Sequence, residues 1–274
     1  MGTKSYMKKI VLLISASILF VGDALAFNAF GHQSIAALAD KYLTDNARKE
    51  VKSILKTDMV KASTWLNTLR KKEGLTHTNS WHTTTLDSNG KSTTMADNDG
   101  VVQLEKSIAV LRDRANQSDS LVQASLRTVI HLVGDLHCIS HIYIDGNEPT
   151  KGFTYKTWNE LTAEGKGFYC SKTYDSSWYK LWESRFAARY TLFTPQYYGD
   201  DIDIFANEKK AEYEKGTPRF WVENVGEDVV RALETFQPGE VVPVQMNERQ
   251  EPVHNRCMAK AAYRLAALLN DIFK

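Results

Sequence analysis

Within eleven residues the chain places His131, Asp135, His137 and His141. His131 and Asp135 are four apart, so in a helix they share one face, and His141 follows six residues later. Two imidazoles and a carboxylate offered to one side is metal-ligand spacing. Buried histidines that hydrogen-bond to neighbouring helices would produce the same pattern. His137 falls on the other side of the helical wheel and reads as structural. His32 stands five residues after Phe27, in Phe27-Asn28-Ala29-Phe30-Gly31-His32. A chain that began at Phe27 would offer its α-amine as a further ligand, because that group deprotonates at about pH 8. His82, beside Trp81, is unremarkable alone.

Whether Phe27 carries a free amine depends on what precedes it. Lys4, Lys8 and Lys9 form a positive start, Ile10 to Val21 an apolar run short for a bilayer, and Ala24-Leu25-Ala26 a small-residue cleavage pattern. The expectation is a cleaved secretory signal over residues 1–26 and a secreted or periplasmic mature chain, with an uncleaved anchor as the competing reading. Cleavage removes three lysines and Asp23, which leaves 31 basic against 32 acidic residues. A balance this close to neutral argues against a broad basic surface that holds nucleic acid by charge. With 43% hydrophobic and 24% charged residues, the composition is globular rather than disordered. Three scattered cysteines are too few for a disulfide scaffold or a structural zinc finger. Cys170 and Cys257 could pair in an oxidising compartment, and Cys138, inside the histidine cluster, reads as a small buried residue.

The elements that must position these side chains are helices, because apolar residues recur with helical period almost throughout. Ile35, Leu38, Ala39, Tyr42 and Leu43 make one face, then Val51, Ile54 and Leu55, with Asp45 placed to cap the second piece. Val101 to Leu111, Leu121 to Asp145, Trp221 to Leu233 and Met258 to Phe273 continue the pattern. Thr83 to Leu86 and Phe153 to Trp158 could pair as short strands. The polar stretches 71–80, 86–100 and 145–177 read as loops. The prediction is an all-α chain, one multi-helix domain over residues 27–274, with no internal repeat.

Five motifs then occur in a recognisable order: Phe27-x-x-x-Gly31-His32, Trp65-Leu66-Asn67, Trp81-His82, His131-x-x-Gly134-Asp135-x-His137-x-x-x-His141, and Ala262-Tyr263-Arg264-Leu265-Ala266-x-x-Leu269-Asn270. Together they resemble the zinc-dependent single-strand nucleases of the S1/P1 type, whose fold and ligand scheme the zinc phospholipases C share. The resemblance implies a three-zinc cluster in a cleft. Phe27, His32 and Asp135 would hold one zinc. Asp135, Asn67, His82 and His131 would hold a second. His141, Tyr179 and Glu183, aligned by Trp182, would hold a third. A rival alignment puts that last pair at Tyr155 and Asn159. His77 and His254 match no ligand position.

The activity implied is hydrolysis of single-stranded DNA or RNA to products with 5′ phosphates. Asp135 and Asn67 would be the catalytic positions, and zinc would supply the positive charge that the surface lacks. Tyr143, Phe153 and Trp178 are candidates to stack a base or simply to pack the core. The sequence departs from the family at three ligand positions. Phe27 replaces Trp, where the main chain does the ligating. Asn67 replaces an aspartate and brings no charge. Tyr179 replaces a histidine and is a poor neutral-pH ligand. Two zincs are therefore expected to be held better than three. A non-catalytic relative that binds without cutting, or a phospholipase C-like hydrolase, are the alternatives.

Overall fold

Side-chain caps start the helices where the apolar stripes begin, which is how this polar-rich chain commits to its elements. In the computed structural model, α1 (Ala29–Lys41) is capped by the Asn28 carboxamide, which accepts from Gly31 N–H at 3.0 Å. For α2 (Asp45–Leu55) the cap is Thr44, not Asp45, which sits in the first turn, and Lys56 at φ 56° closes the helix. Two short helices, α3 (Met59–Ala62) and α4 (Trp65–Leu69), lead to a 3₁₀ turn over Thr76–His82 and the strand β1 (Thr84–Leu86). Asp99 and Ser118 cap α5 (Gly100–Arg112) and α6 (Asp119–Asp135). A 3₁₀ turn, Ile139–His141, precedes β2 (Ile142–Ile144). β3 (Thr154–Thr157) and β4 (Asp175–Ser177) follow, then a helical turn, Trp178–Lys180, that widens into a π-helical Leu181–Arg185. The chain ends with α7 (Pro195–Ala206), α8 (Lys210–Tyr213), α9 (Pro218–Glu234), β5 (Val241–Val242) and α10 (Val244–Ile272). The structure describes residues 27–93, 95–147, 154–157, 175–185, 190, 192–234, 241–242 and 244–274. The expected signal segment, residues 1–26, lies outside them. Among the described residues no helix is long and apolar enough to cross a membrane.

The predicted all-α class holds. α6 is the central element. It packs against α1, α2, α4, α5 and α10, and from Val129 to Asp135 every residue is buried. Leu38, Leu66, Leu104, Leu126, Leu132, Tyr263 and Leu269 belong to the core around it. α7 lies across α1 and α10. There the buried Asp203 accepts from Tyr42 Oη (2.8 Å), Tyr263 Oη (2.7 Å) and Lys41 Nζ (2.9 Å), tying the three helices through one carboxylate. Those donors hold its carboxyl below the ordinary range although burial pushes the other way.

Three sequence expectations need correction. The helix expected from Leu121 to Asp145 stops at Asp135, one residue after Gly134, where i→i+3 bonds (His137 N–H to Gly134, Cys138 N–H to Asp135) tighten the turn. The following Ile142-Tyr143-Ile144 alternates buried and half-buried side chains, as a strand does. The two predicted strands do not pair with each other. β1 pairs in parallel with β2 in the register Thr84↔Ile142, and β3 pairs with β4 and β5. The last helix begins at Val244, well before Met258. Cys257 is a buried free thiol beside Asp228, and Cys170 lies outside the described residues.

Candidate metal centre

The parallel pairing of β1 with β2 has a direct consequence for chemistry. His82 lies two residues before β1 and His141 one residue before β2, so the two strands deliver both imidazoles to the same end, next to the C-terminus of α6. α6 itself presents His131 and Asp135, as their spacing predicts. α1 brings His32.

The first group of side chains converges on Asp135. Its Oδ1 lies 3.2 Å from His32 Nε2, and its Oδ2 lies 2.7 Å from His82 Nδ1 and 3.1 Å from His131 Nε2. The rings of His32 and His131 stack at 4.0 Å. All four residues are buried. His131 Nδ1 is 2.6 Å from the Ser63 carbonyl, which can only accept, so that nitrogen carries the proton and the Nε2 lone pair faces inward. His137 contrasts with it. Its Nδ1 donates to Val133 O at 2.6 Å and its Nε2 accepts from Arg264 at 2.8 Å, so both nitrogens are used, and it is structural as the helical wheel predicts.

Burial drives His32 down to about 4, with His131 adding to the effect, and lowers His82, so both are neutral at pH 7 and have a lone pair to give. Burial alone would raise Asp135, but the imidazoles of His131 and His82 outweigh it and hold the carboxyl well below its usual range.

A second group lies alongside. Glu183 Oε1 is 3.1 Å from His141 Nδ1, 3.5 Å from Cys138 Sγ and 3.3 Å from Ser140 Oγ. Burial lowers His141 to about 3, while burial and then the charge of Asp135 raise Glu183. Taking one donor atom from each residue, His32, His131 and Asp135 lie within 4.8 Å of one another, as do Cys138, His141 and Glu183.

Several buried polar atoms lack a hydrogen-bond partner: His82 Nε2 and Glu183 Oε2 in the two groups, His32 Nε2 and Asp135 Oδ1, which face each other at 3.2 Å without hydrogen-bond geometry, and both polar atoms of Asn67 on α4. Leaving such an atom unsatisfied costs about 1–3 kcal/mol, and native proteins keep few of them. Their concentration here, on neutral imidazole nitrogens and carboxylate oxygens, is the donor chemistry of a cation site.

The remaining predicted residues fall as follows. Phe27 is buried, its ring edge-on to His32 at 6.5 Å. The next residue's N–H donates to the Glu183 carbonyl at 2.8 Å, which sets the first residues between the two groups. Tyr179 is half-buried with its ring 5.5 Å from that of His141. Trp178 is fully buried against Trp182 at 5.4 Å and offers no face for a base, whereas Tyr143 is half-buried. Phe153, Trp158 and Asn159 lie outside the described residues. Two residues escaped the sequence reading. Cys138 enters the second group, although its i, i+3 spacing to His141 was visible. Arg70 follows Asn67 by three residues, at the C-cap of α4, and its charge acts on His82, Tyr179 and Glu183.

No curated protein matches the chain in sequence. The family model described as S1/P1 Nuclease matches residues 27–151, the stretch that supplies every residue of the first group and both Cys138 and His141 of the second. Over that stretch the chain is similar to the S1/P1 nuclease family, and the stretch supplies most of the buried donor set.

Proposed function

We propose that this protein is an exported zinc-dependent phosphodiesterase that cuts single-stranded DNA or RNA and leaves 5′-phosphate ends. The observation that carries the reading is the concentration of unpartnered imidazole and carboxylate atoms in the two buried groups. Export rests on Lys8, Lys9 and the Ala24-Leu25-Ala26 pattern. His32, Asn67, His82, His131 and Asp135, with the Phe27 main chain, are the residues that would hold the better-bound zincs, up to three in all with the second group. Zinc supplies a Lewis acid and brings the pKa of water towards neutrality.

The chain's own residues do the rest. The Ser63 carbonyl orients His131. Asp135 presents its two oxygens to different imidazoles, which suits it to bridge. Arg70 adds a fixed positive charge on the side of Asn67, where a phosphate anion would be drawn in. Asn67 offers a carbonyl oxygen but cannot take a proton, and Asp135, held well below the usual carboxylate range, stays an anion that binds rather than a base.

One specific substitution favours a second reading, a non-catalytic binder. Asn67 stands where the resemblance expects a carboxylate. The test uses protein that begins at Phe27. Elemental analysis should find at least two zincs per chain. Single-stranded substrate should be cut in preference to duplex, yielding ends that can be ligated without prior phosphorylation. Chelation should abolish the reaction and zinc restore it. A zinc-loaded protein that cuts nothing, and still cuts nothing as Asn67→Asp, would make it a binder.

Gly134 supplies a separate expectation. A Cβ there would stand 2.7 Å from His32 Nδ1 and 2.9 Å from its Cε1. Gly134→Ala should favour the helix by up to about 1 kcal/mol yet displace His32. Zinc affinity measured by competition with a chelator should fall roughly 10–100-fold, as it does when a ligand's orientation is lost. Unchanged affinity would mean that His32 is not a ligand.

A further inference from the structure

We infer that Cys138 is a metal ligand, and that the second group is a mixed thiolate–imidazole–carboxylate site, Cys138, His141 and Glu183, for a thiophilic cation such as zinc or cadmium. The inference rests on the zinc reading of the first group and goes beyond it, because it moves the third donor from Tyr179 to a residue that resembled mere packing.

Three observations carry it. The donor atoms of Cys138, His141 and Glu183 lie within 4.8 Å of one another, and each of these side chains is at least 98% buried. Glu183 Oε2 is wholly buried with no hydrogen-bond partner, although Oε1 is approached by Cys138, Ser140 and His141. A buried carboxylate with one oxygen left over among three donors lacks a cation rather than another hydrogen bond. Cys138 reaches the site because α6 ends at Asp135: the tight turn after it, closed by Cys138 N–H to Asp135 O at 2.9 Å, brings residues 138 to 141 round towards Glu183. The phenol of Tyr179 is the poorer donor of the two. A thiolate binds zinc and cadmium strongly, whereas a phenol keeps its proton near neutrality. Binding the cation displaces the thiol proton to solvent, so no oxidant or other reactant is needed.

The test is cobalt replacement in the full chain that begins at Phe27. Cobalt-loaded protein should show thiolate-to-cobalt charge-transfer absorption in the near ultraviolet. The band should persist in Cys170→Ser/Cys257→Ser and vanish in Cys138→Ser. Elemental analysis should show Cys138→Ser losing one ion per chain and keeping those of the first group, while Tyr179→Phe loses none. Wild-type protein that binds cobalt without the band overturns the inference and leaves the zinc reading of the first group intact, and it does so even if Cys138→Ser fails to fold. Loss of the ion in Tyr179→Phe with no loss in Cys138→Ser overturns it as well. A wild-type chain that binds no metal overturns both.

Discussion

Asp135→Ala is expected to abolish hydrolysis of single-stranded substrate and to remove the zinc held by the first group. Asp135 is the one residue of that group in contact with three imidazoles, at 2.7 to 3.2 Å, and it carries the group's only carboxylate. Without it, His32, His82 and His131 are left stacked and crossed against one another with no anion between them. Metal charge stabilisation is worth several kcal/mol in the transition state, so a loss of about a thousandfold or more in kcat/KM is the expected scale. The same substitution should change stability in a way that identifies its cause. A ligand present at a thousand times its Kd adds about 4 kcal/mol to folding stability. In a domain of this size that is on the order of 10 °C in Tm. Wild-type protein should therefore show a zinc-dependent rise in Tm, and Asp135→Ala should lose most of it. A variant that kept the full zinc count and the full rise would remove Asp135 from the centre of the site.

The second large effect is expected at the chain start. Phe27 is buried beside His32, Asn28 N–H is bonded to the Glu183 carbonyl, and the Asn28 side chain caps α1. The first residues are thus pinned among the candidate ligands before any cleavage is considered. If the chain is cut after Ala26, an amine appears in that pinned place, with an unperturbed pKa of about 8 and a lone pair available near neutrality. Protein with one or two extra residues before Phe27 should bind zinc more weakly and cut more slowly, roughly 10–100-fold by the scale of losing a ligand's placement. Comparing matched preparations, one released by a protease that leaves Phe27 first and one retaining Gly-Ser before it, separates this from a general folding defect. Both should have the same helical circular dichroism. Equal rates from the two would show that the amine takes no part.

Much of this protein was legible in its residues alone. The helical period of Ile35 to Leu55, Val101 to Leu111 and Trp221 to Leu233 specified an all-α chain, because a stripe recurring every three to four residues can be buried in only one regular way. The four-residue spacing of His131 and Asp135 likewise specified a shared face, and the same spacing puts His137 off it. These are local properties, carried by a few successive turns of backbone. What only the tertiary structure decided depends on segments far apart in the chain. The tautomer of His131 is set by Ser63, 68 residues away. The placing of His82 and His141 at one end comes from β1 pairing with β2, where the sequence suggested a different partner for β1. Cys138 meets Glu183 across 45 residues, after a helix end that has no glycine or proline beyond its last residue. Periodicity reports which side of an element turns inward. It carries no information about which other element waits there, since many packings bury the same stripe equally well and the donor atoms that end up together are chosen by the packing.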